Sequence, residues 1–251
     1  MIVTDLDDTL LRNDKSVSDH TVSVLARCRA AGIKIVFATA RSSQSASKYF
    51  KSFAPDVFIG YGGALMHAGG EVIKRFEIPA DVSFRLINEC LREPEIINVH
   101  AVNERAALMN CVETLDPEAS HYTYADLTVE NGMRYLKISL IALNPAVVSR
   151  IAENFPSLDV LRYSNENLYR FAAKEAVKWN AVKAAAEYYA IDTDDVVAFG
   201  DDVNDLEMIK NCGAGVAVAN AVDAVKLAAK YICGSNERDG VAEWIATNVL
   251  R

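Results

Sequence analysis

Two short apolar runs, nearly two hundred positions apart, each end in a burst of carboxylates. The first is Ile2-Val3-Thr4 leading into Asp5-Leu6-Asp7-Asp8, and the second is Val196-Val197-Ala198-Phe199 leading into Gly200-Asp201-Asp202. Runs this short and this rich in β-branched residues read as buried strands that deliver polar side chains at their C-terminal ends. Between and after them the period changes to that of helices. Residues 18–31 carry Val22, Val24, Leu25 and Cys28 behind a capping Ser18, and Gly32 stops the segment. A strand at 34–38 ends at Thr39, a helix is predicted at 43–53, and a third strand at 57–59. After residue 177 the alternation returns, with helices at 178–190, 203–211 and 221–230 around strands at 195–199 and 215–218. A last helix holds Val241, Trp244 and Ile245. Strand–helix–strand repetition implies right-handed crossovers, and hence an α/β fold with a Rossmann-like parallel-sheet core.

The middle of the chain follows another pattern. Helices at 81–92 and 145–154 accompany strands near 97–102, 106–112, 134–143, 158–163 and 168–173. In the third of these strands Leu136, Ile138 and Leu140 alternate with Tyr135, Lys137 and Ser139. Such alternation suits an antiparallel sheet with one packed face and one open face. The predicted organisation is a core of residues 1–79 and 175–251 interrupted by an α+β cap at 80–174. Leu136, Ile138 and Leu140 are expected beneath the insert's helices. Tyr135, Lys137 and Ser139 then line the open face with Asn98 and His100; there Lys137 and His100 would suit the polar, anionic part of a substrate, and the alternative is a face that merely meets solvent.

Composition narrows the function. The net charge is −8, with no block of Lys and Arg, so nucleic acid is not an expected partner. A small anion can still bind if a metal, a lysine or helix N-termini overcome the protein's own field. The five cysteines, Cys28, Cys90, Cys111, Cys212 and Cys233, are odd in number and form no C-x-x-C pair. They read as small buried hydrophobes in a reducing compartment. With no membrane span and no signal pattern ahead of Asp5, a cytoplasmic protein is expected. His20, His67, His100 and His121 lack metal-ligand spacing, and Gly213-Ala214-Gly215 has a helix before it and a strand after it, the reverse of a dinucleotide site.

Four signals fall in order at the ends of predicted core elements, where open α/β sheets bind ligands. In Asp5-Leu6-Asp7-Asp8-Thr9, residues i and i+2 of an extended strand end share a side. Asp5 and Asp7 are therefore expected to face the cleft together, which favours a cation between them or a proton on one. One can act as nucleophile and the other as acid and base. Thr39-Ala40-Arg41 offers a hydroxyl and free N–H groups at a strand-to-helix junction. Lys178 opens a helix. Gly200-Asp201-Asp202-Val203-Asn204-Asp205 sets oxygen ligands beside a permissive glycine, as a hard divalent cation requires. Each signal alone is weak or moderate; their joint order carries the reading.

These segments, with the tail Asn236-Glu237-Arg238-Asp239-Gly240-Val241-Ala242, resemble the haloacid dehalogenase-like (HAD) superfamily, within it the Cof-type sugar-phosphatase group with a type II-B cap. The resemblance spans nearly the whole chain. It implies a phosphatase for small phosphorylated metabolites, with Asp5 as nucleophile forming an aspartyl phosphate and Asp7 as general acid and base. It implies Mg²⁺ held by Asp5, the backbone carbonyl of Asp7 and Asp201, with Asp205 in support. Thr39, Ala40, Arg41, Lys178 and Asn204 are implied around the phosphate. An acid at the i+2 position fits oxygen leaving groups rather than halides. Two positions depart from the family pattern: Ala40 replaces the usual glycine, and Gly62 stands where asparagine is frequent. A phosphomutase would share the aspartyl-phosphate step. A receiver-type signalling module also uses an acidic pair, a threonine and a lysine, but is about half as long and carries its phosphorylated aspartate after the acidic pair. A silent binding protein would not need Asp5, Asp7, Lys178 and Asp201 together.

Overall fold

The structure, a computed structural model, describes residues 1–51, 53–110, 122–130, 132–163 and 167–250. Cys111 and His121 lie outside the described residues. The chain divides into two compact units, Met1–Lys74 with Val177–Arg251, and Arg75–Ala176. Each has its own apolar core. The division falls at 74/75 and 176/177 rather than 79/80 and 174/175. Ile78, ahead of the insert's first helix, bridges to Tyr135 and is buried in the insert's core.

The first unit begins with β1 (Ile2–Thr4), α1 (Asp19–Ala30), β2 (Ile35–Ala38), α2 (Ser43–Ala46), β3 (Val57–Gly60), β4 (Leu65–Ala68) and β5 (Glu71–Arg75). The insert follows with α3 (Ala80–Leu91), β6 (Ile96–Val102), β7 (Ala107–Met109), β8 (Thr123–Tyr124), β9 (Lys137–Ala142), α4 (Pro145–Asn154), β10 (Leu158–Arg162) and β11 (Leu168–Ala173). The first unit then resumes with α5 (Lys178–Tyr188), β12 (Val197–Gly200), α6 (Leu206–Asn211), β13 (Ala214–Ala217), α7 (Asp223–Ala228), β14 (Tyr231–Ile232) and α8 (Gly240–Asn248).

The large sheet runs β14-β13-β12-β1-β2-β3-β4-β5, and its pairings from β14 through β3 are parallel. The chain leaves β1 toward β2 on one side and returns through β12 on the other. The C-terminal ends of β1 and β12 therefore meet at a switch in strand order, where such sheets place their ligands. The first helix begins and ends where its sequence directs. The Ser18 hydroxyl accepts from the N–H of Thr21, and Gly32 takes φ +81 just beyond the end. The predicted helix at 43–53 is instead one turn, α2, and a separate short turn at Tyr49–Lys51. The hydroxyls of Ser45 and Ser47 bond the carbonyls of Ser42 and Gln44 in this serine-rich stretch, competing with helix hydrogen bonding. The antiparallel partner of β3, β4, and the edge strand β5 were not anticipated. They are 4 and 5 residues long, too short to show a clear period.

In the insert, β10-β11-β9-β6-β7-β8 form a second sheet, antiparallel except at β7–β8. Leu136, Ile138 and Leu140 are buried as expected. Tyr135 is not on the open face. It precedes β9, bonds to Ile78, and is buried in the insert's core. Nor is the middle of the expected open face exposed: Asn98 is 5% and Ser139 6% accessible, and Arg170, register partner of Ser139, is buried beside them. Among the described residues no helix is long and apolar enough to cross a membrane.

Candidate active site

After β1 the backbone stays extended at Asp5 and then winds through one wide turn, closed by the Leu11 N–H on the Leu6 carbonyl. Asp5 is almost fully buried at the strand end. Its Oδ1 accepts from Lys178 Nζ at 2.6 Å, and the same ammonium donates to Asp205 Oδ1 at 2.6 Å. Lys178 is 1% and Asp205 0% exposed. The other oxygen of Asp205 accepts from the backbone N–H groups of Asp201 and Asp202, at 3.0 and 3.2 Å. Asp205 thus ties the end of β12 to the lysine. Carboxylate oxygens of Asp5, Asp201 and Asp205 all lie within 4.8 Å of one another. Thr9 Oγ1, a partner the sequence reading did not assign, donates to Asp201 Oδ1 at 2.7 Å.

Two glycines allow this approach. A Cβ at Gly200 would sit 2.5 Å from Cβ of Asp205 and 2.7 Å from its Oδ2. A Cβ at Gly63 would sit 2.4 Å from the backbone of Val177 and 2.7 Å from the nitrogen of Lys178, so the turn after β3 packs directly on the start of α5. Gly200→Ala is therefore expected to push Asp205 off the end of β12. It should cost about 1–3 kcal/mol of stability, as overpacking does, and most of the activity. A melting temperature and turnover matching wild type would contradict that geometry.

Electrostatics follow from crowding. Burial pushes the Asp5 carboxyl well above its ordinary range; Lys178 opposes the rise, while Asp205, Asp201 and Asp7 add to it. Burial and Asp205 likewise push Asp201 up to about 7, against the Thr9 hydrogen bond. Burial disfavours the Lys178 ammonium, but Asp205 and Asp5 outweigh it and raise its pKa. One ammonium therefore faces three clustered carboxylates. Oδ2 of Asp5 and Oδ2 of Asp201 have no hydrogen-bond partner among the described residues. An all-oxygen donor set with excess negative charge fits a hard divalent cation.

Asp7 is close enough to add to the repulsion on Asp5, yet its own carboxylate is engaged elsewhere. Arg41 grips it with Nε on Oδ2 at 2.7 Å and Nη2 on Oδ1 at 2.6 Å, and Lys15 Nζ lies 3.1 Å from Oδ1. Burial works to raise the Asp7 pKa, but these cations win and hold it below the ordinary range. Arg41 also stacks 5.1 Å above the ring of Tyr49. Its fork is thus committed to Asp7, where the sequence reading grouped Arg41 with the phosphate. Thr39 is buried at the end of β2. Its hydroxyl accepts from the Arg41 N–H at 3.1 Å, and its carbonyl accepts from the Gly62 N–H at 2.9 Å. Gly62, one of the two departures, supports Thr39 through its backbone, and Ala40 sits half-buried between Thr39 and Arg41. Asn204 Oδ1 is buried without a hydrogen-bond partner among the described residues.

A family model for haloacid dehalogenase-like hydrolases matches residues 2–245. The chain belongs to the haloacid dehalogenase-like hydrolases. It is 27% identical over 98% of its length to the 5-amino-6-(5-phospho-D-ribitylamino)uracil phosphatase YitU of Bacillus subtilis, 96% of which is covered. It is 25% identical, over its full length and 98% of the relative, to the pyridoxal phosphate phosphatase YbhA of Escherichia coli. Among solved structures, the HAD subclass IIB sugar phosphatase BT4131 superposes with a TM-score of 0.86 at 20% identity, covering 98% of this chain and 97% of that one. The chain is an enzyme, a phosphatase of this family.

Proposed function

We propose that this phosphatase hydrolyses small phosphomonoesters, sugar phosphates or related metabolites, through a phosphorylated Asp5 and with Mg²⁺. The observation that carries the reading is the cluster of buried Asp5, Lys178 and Asp205 with half-buried Asp201. The names of the relatives, which concern a ribitylamino-uracil phosphate, pyridoxal phosphate and sugar phosphates, support the substrate class. The buried, free thiols of Cys28, Cys90, Cys212 and Cys233 support action in the reducing cytoplasm.

Asp5 is the nucleophile. One of its carboxylate oxygens bonds to phosphorus as the ester P–O bond breaks, and the leaving oxygen takes a proton from Asp7. Water then gives a proton to Asp7 and attacks phosphorus, which frees Asp5 and inorganic phosphate. Lys178 offsets the repulsion between anionic nucleophile and anionic ester, since phosphoryl transfer is mostly positioning and charge neutralisation. Thr39 and Asn204 face the phosphate. Asp7, held anionic by Arg41 and Lys15, is suited to take the proton from water. To act first as an acid it must shed those cations, and the incoming phosphoester competes for Arg41. Asp5, Asp201 and the Asp7 carbonyl would hold Mg²⁺, with Asp205 in support. When bound, the ion supplies positive charge that stabilises the phosphoryl oxygens. The insert, Arg75–Ala176, serves to select the substrate.

The direct test is a phosphate-release screen over a metabolite panel, with and without Mg²⁺. Release from no phosphomonoester, or undiminished release in EDTA, would sink the proposal. The cation site makes a pH prediction as well. Folded-state pKa values of Asp5 and Asp201 are raised above their unfolded values, so without a cation these groups cost stability as pH rises through about 7 for Asp201. A cation binds their ionised forms, so stabilisation by Mg²⁺ should grow from pH 5.5 to pH 8. At 100 times its Kd a ligand contributes about 2.7 kcal/mol, or roughly 5–10 °C for a chain of this size. Thermal melts at both pH values check this; an equal or larger shift at pH 5.5 contradicts it.

A further inference from the structure

The tail Asn236 to Gly240 stands out in the sequence but has no part in the chemistry above. Its contacts converge on the loop that carries Asp7. Asn236 is 3% exposed. Its side-chain amide donates to the Leu11 carbonyl at 3.1 Å and to Asn13 Oδ1 at 3.0 Å. Its backbone N–H donates to Asn220 Oδ1 at 3.0 Å, and Asn220 Nδ2 donates to the Asp8 carbonyl at 2.6 Å. Glu237 accepts from the Asn13 N–H, and Asp239 pairs with Arg12 at 2.8 Å.

Asp8 is where this matters. It follows Asp7 directly and takes φ 54, ψ 8, in the left-handed region that is disfavoured for residues with a side chain, though less so for aspartate than for most. The bond from Asn220 fixes the peptide carbonyl of that residue. The tail that fixes Asn220 is itself tightly folded: Asp239 is also left-handed, and a Cβ at Gly240 would fall 2.0 Å from the Gly234 carbonyl oxygen. We infer that Asn220 and Asn236 are positioning residues that hold the loop after Asp5 in the turn that aims Asp7, so that the C-terminal tail sets the proton transfer. The inference rests on the reading of Asp7 as acid and base. It assigns the tail no contact with substrate.

The test separates proton transfer from general damage by the leaving group, read in a single turnover, where leaving-group release precedes the step in which Asp7 acts as base on water. An alkyl phosphate needs its leaving oxygen protonated, whereas p-nitrophenyl phosphate does not. Asn220 is exposed, so Asn220→Ala should fold, with a melting temperature within about 2 °C of wild type. Its single-turnover rate of leaving-group release from the alkyl phosphomonoester that wild type hydrolyses fastest should fall about tenfold, the worth of one good hydrogen bond, with half-saturation little changed. Its single-turnover release of p-nitrophenol from p-nitrophenyl phosphate should fall less than about threefold. Asn220→Asp keeps the acceptor for the Asn236 N–H but loses the donor to Asp8, and should behave alike. Asp7→Asn, measured beside them in the same single-turnover assay, should show the same selectivity at about 10²–10⁴-fold. If Asp7→Asn discriminates between the two esters and neither Asn220 variant does, whether by an equal loss or by none, the positioning role is overturned. If Asp7→Asn also fails to discriminate, the reading of Asp7 as acid to the leaving oxygen falls, and the inference with it.

Discussion

Asp5→Asn is expected to give a folded protein that releases no phosphate. The amide is nearly isosteric with the carboxylate and enters a site where burial already penalises the charge. Lys178 keeps Asp205 as its partner. The melting temperature should therefore hold or rise slightly. The chemistry should not survive, because an amide oxygen is too poor a nucleophile to displace an ester oxygen from phosphorus. Enzymes typically supply 10⁶-fold or more, and removing the nucleophile should forfeit at least about 10⁴ of it. Phosphate release and melting temperature are the measurements. An acid-quenched wild-type reaction should also carry a phosphoryl group on Asp5 that the variant lacks. Turnover near wild type would sink the covalent mechanism.

Lys178→Met should lose both activity and stability. The ammonium is 1% exposed and donates to two buried carboxylates. Its removal leaves buried charge uncompensated, which costs about 3–5 kcal/mol, or very roughly 6–20 °C for a chain of this length. The pH dependence carries a definite sign. The folded-state pKa of Lys178 is raised, so its contribution is complete below the ordinary lysine value of 10.5 and is lost only as pH rises through the higher folded value. Wild type thus has the full contribution between pH 5 and 9. In the variant Asp5 escapes its charge by taking a proton, which acid solution favours. The gap in melting temperature should therefore narrow toward pH 4 and widen toward pH 8. A gap independent of pH would mean that the lysine acts by packing its stem rather than by charge.

The elements around the site were largely legible. The runs ending at Asp5, Thr39 and Gly200 are apolar and short, and the helices between them have apolar faces of ordinary period, so strand ends and the parallel sheet could be read directly. Less was legible where a signal depends on context. The serine-rich stretch after residue 42 has helical spacing, yet side-chain hydrogen bonds break it into two turns. Tyr135 matched the alternation of β9 but lies before the strand, and its bond to Ile78 turns it into the insert's core. Asn98 and Ser139 occupy the alternating positions predicted for them, but alternation reports a side of the sheet and not whether that side is covered.

The chain by itself determined which side chains stand at strand ends. Extended backbone has period two, helices have period 3.6, and glycine marks a permissive bend, all local properties readable over a few residues. Only the tertiary structure decided which charge meets which. Lys178 reaches Asp5 across 173 positions, Arg41 claims Asp7, and Asn220 pins the carbonyl of Asp8 from 212 positions away. Hydrogen bonds and ion pairs act over a few ångströms. Those few ångströms are set by packing, such as the absent Cβ at Gly200 that lets Asp205 under the strand end, and no spacing along the chain records them.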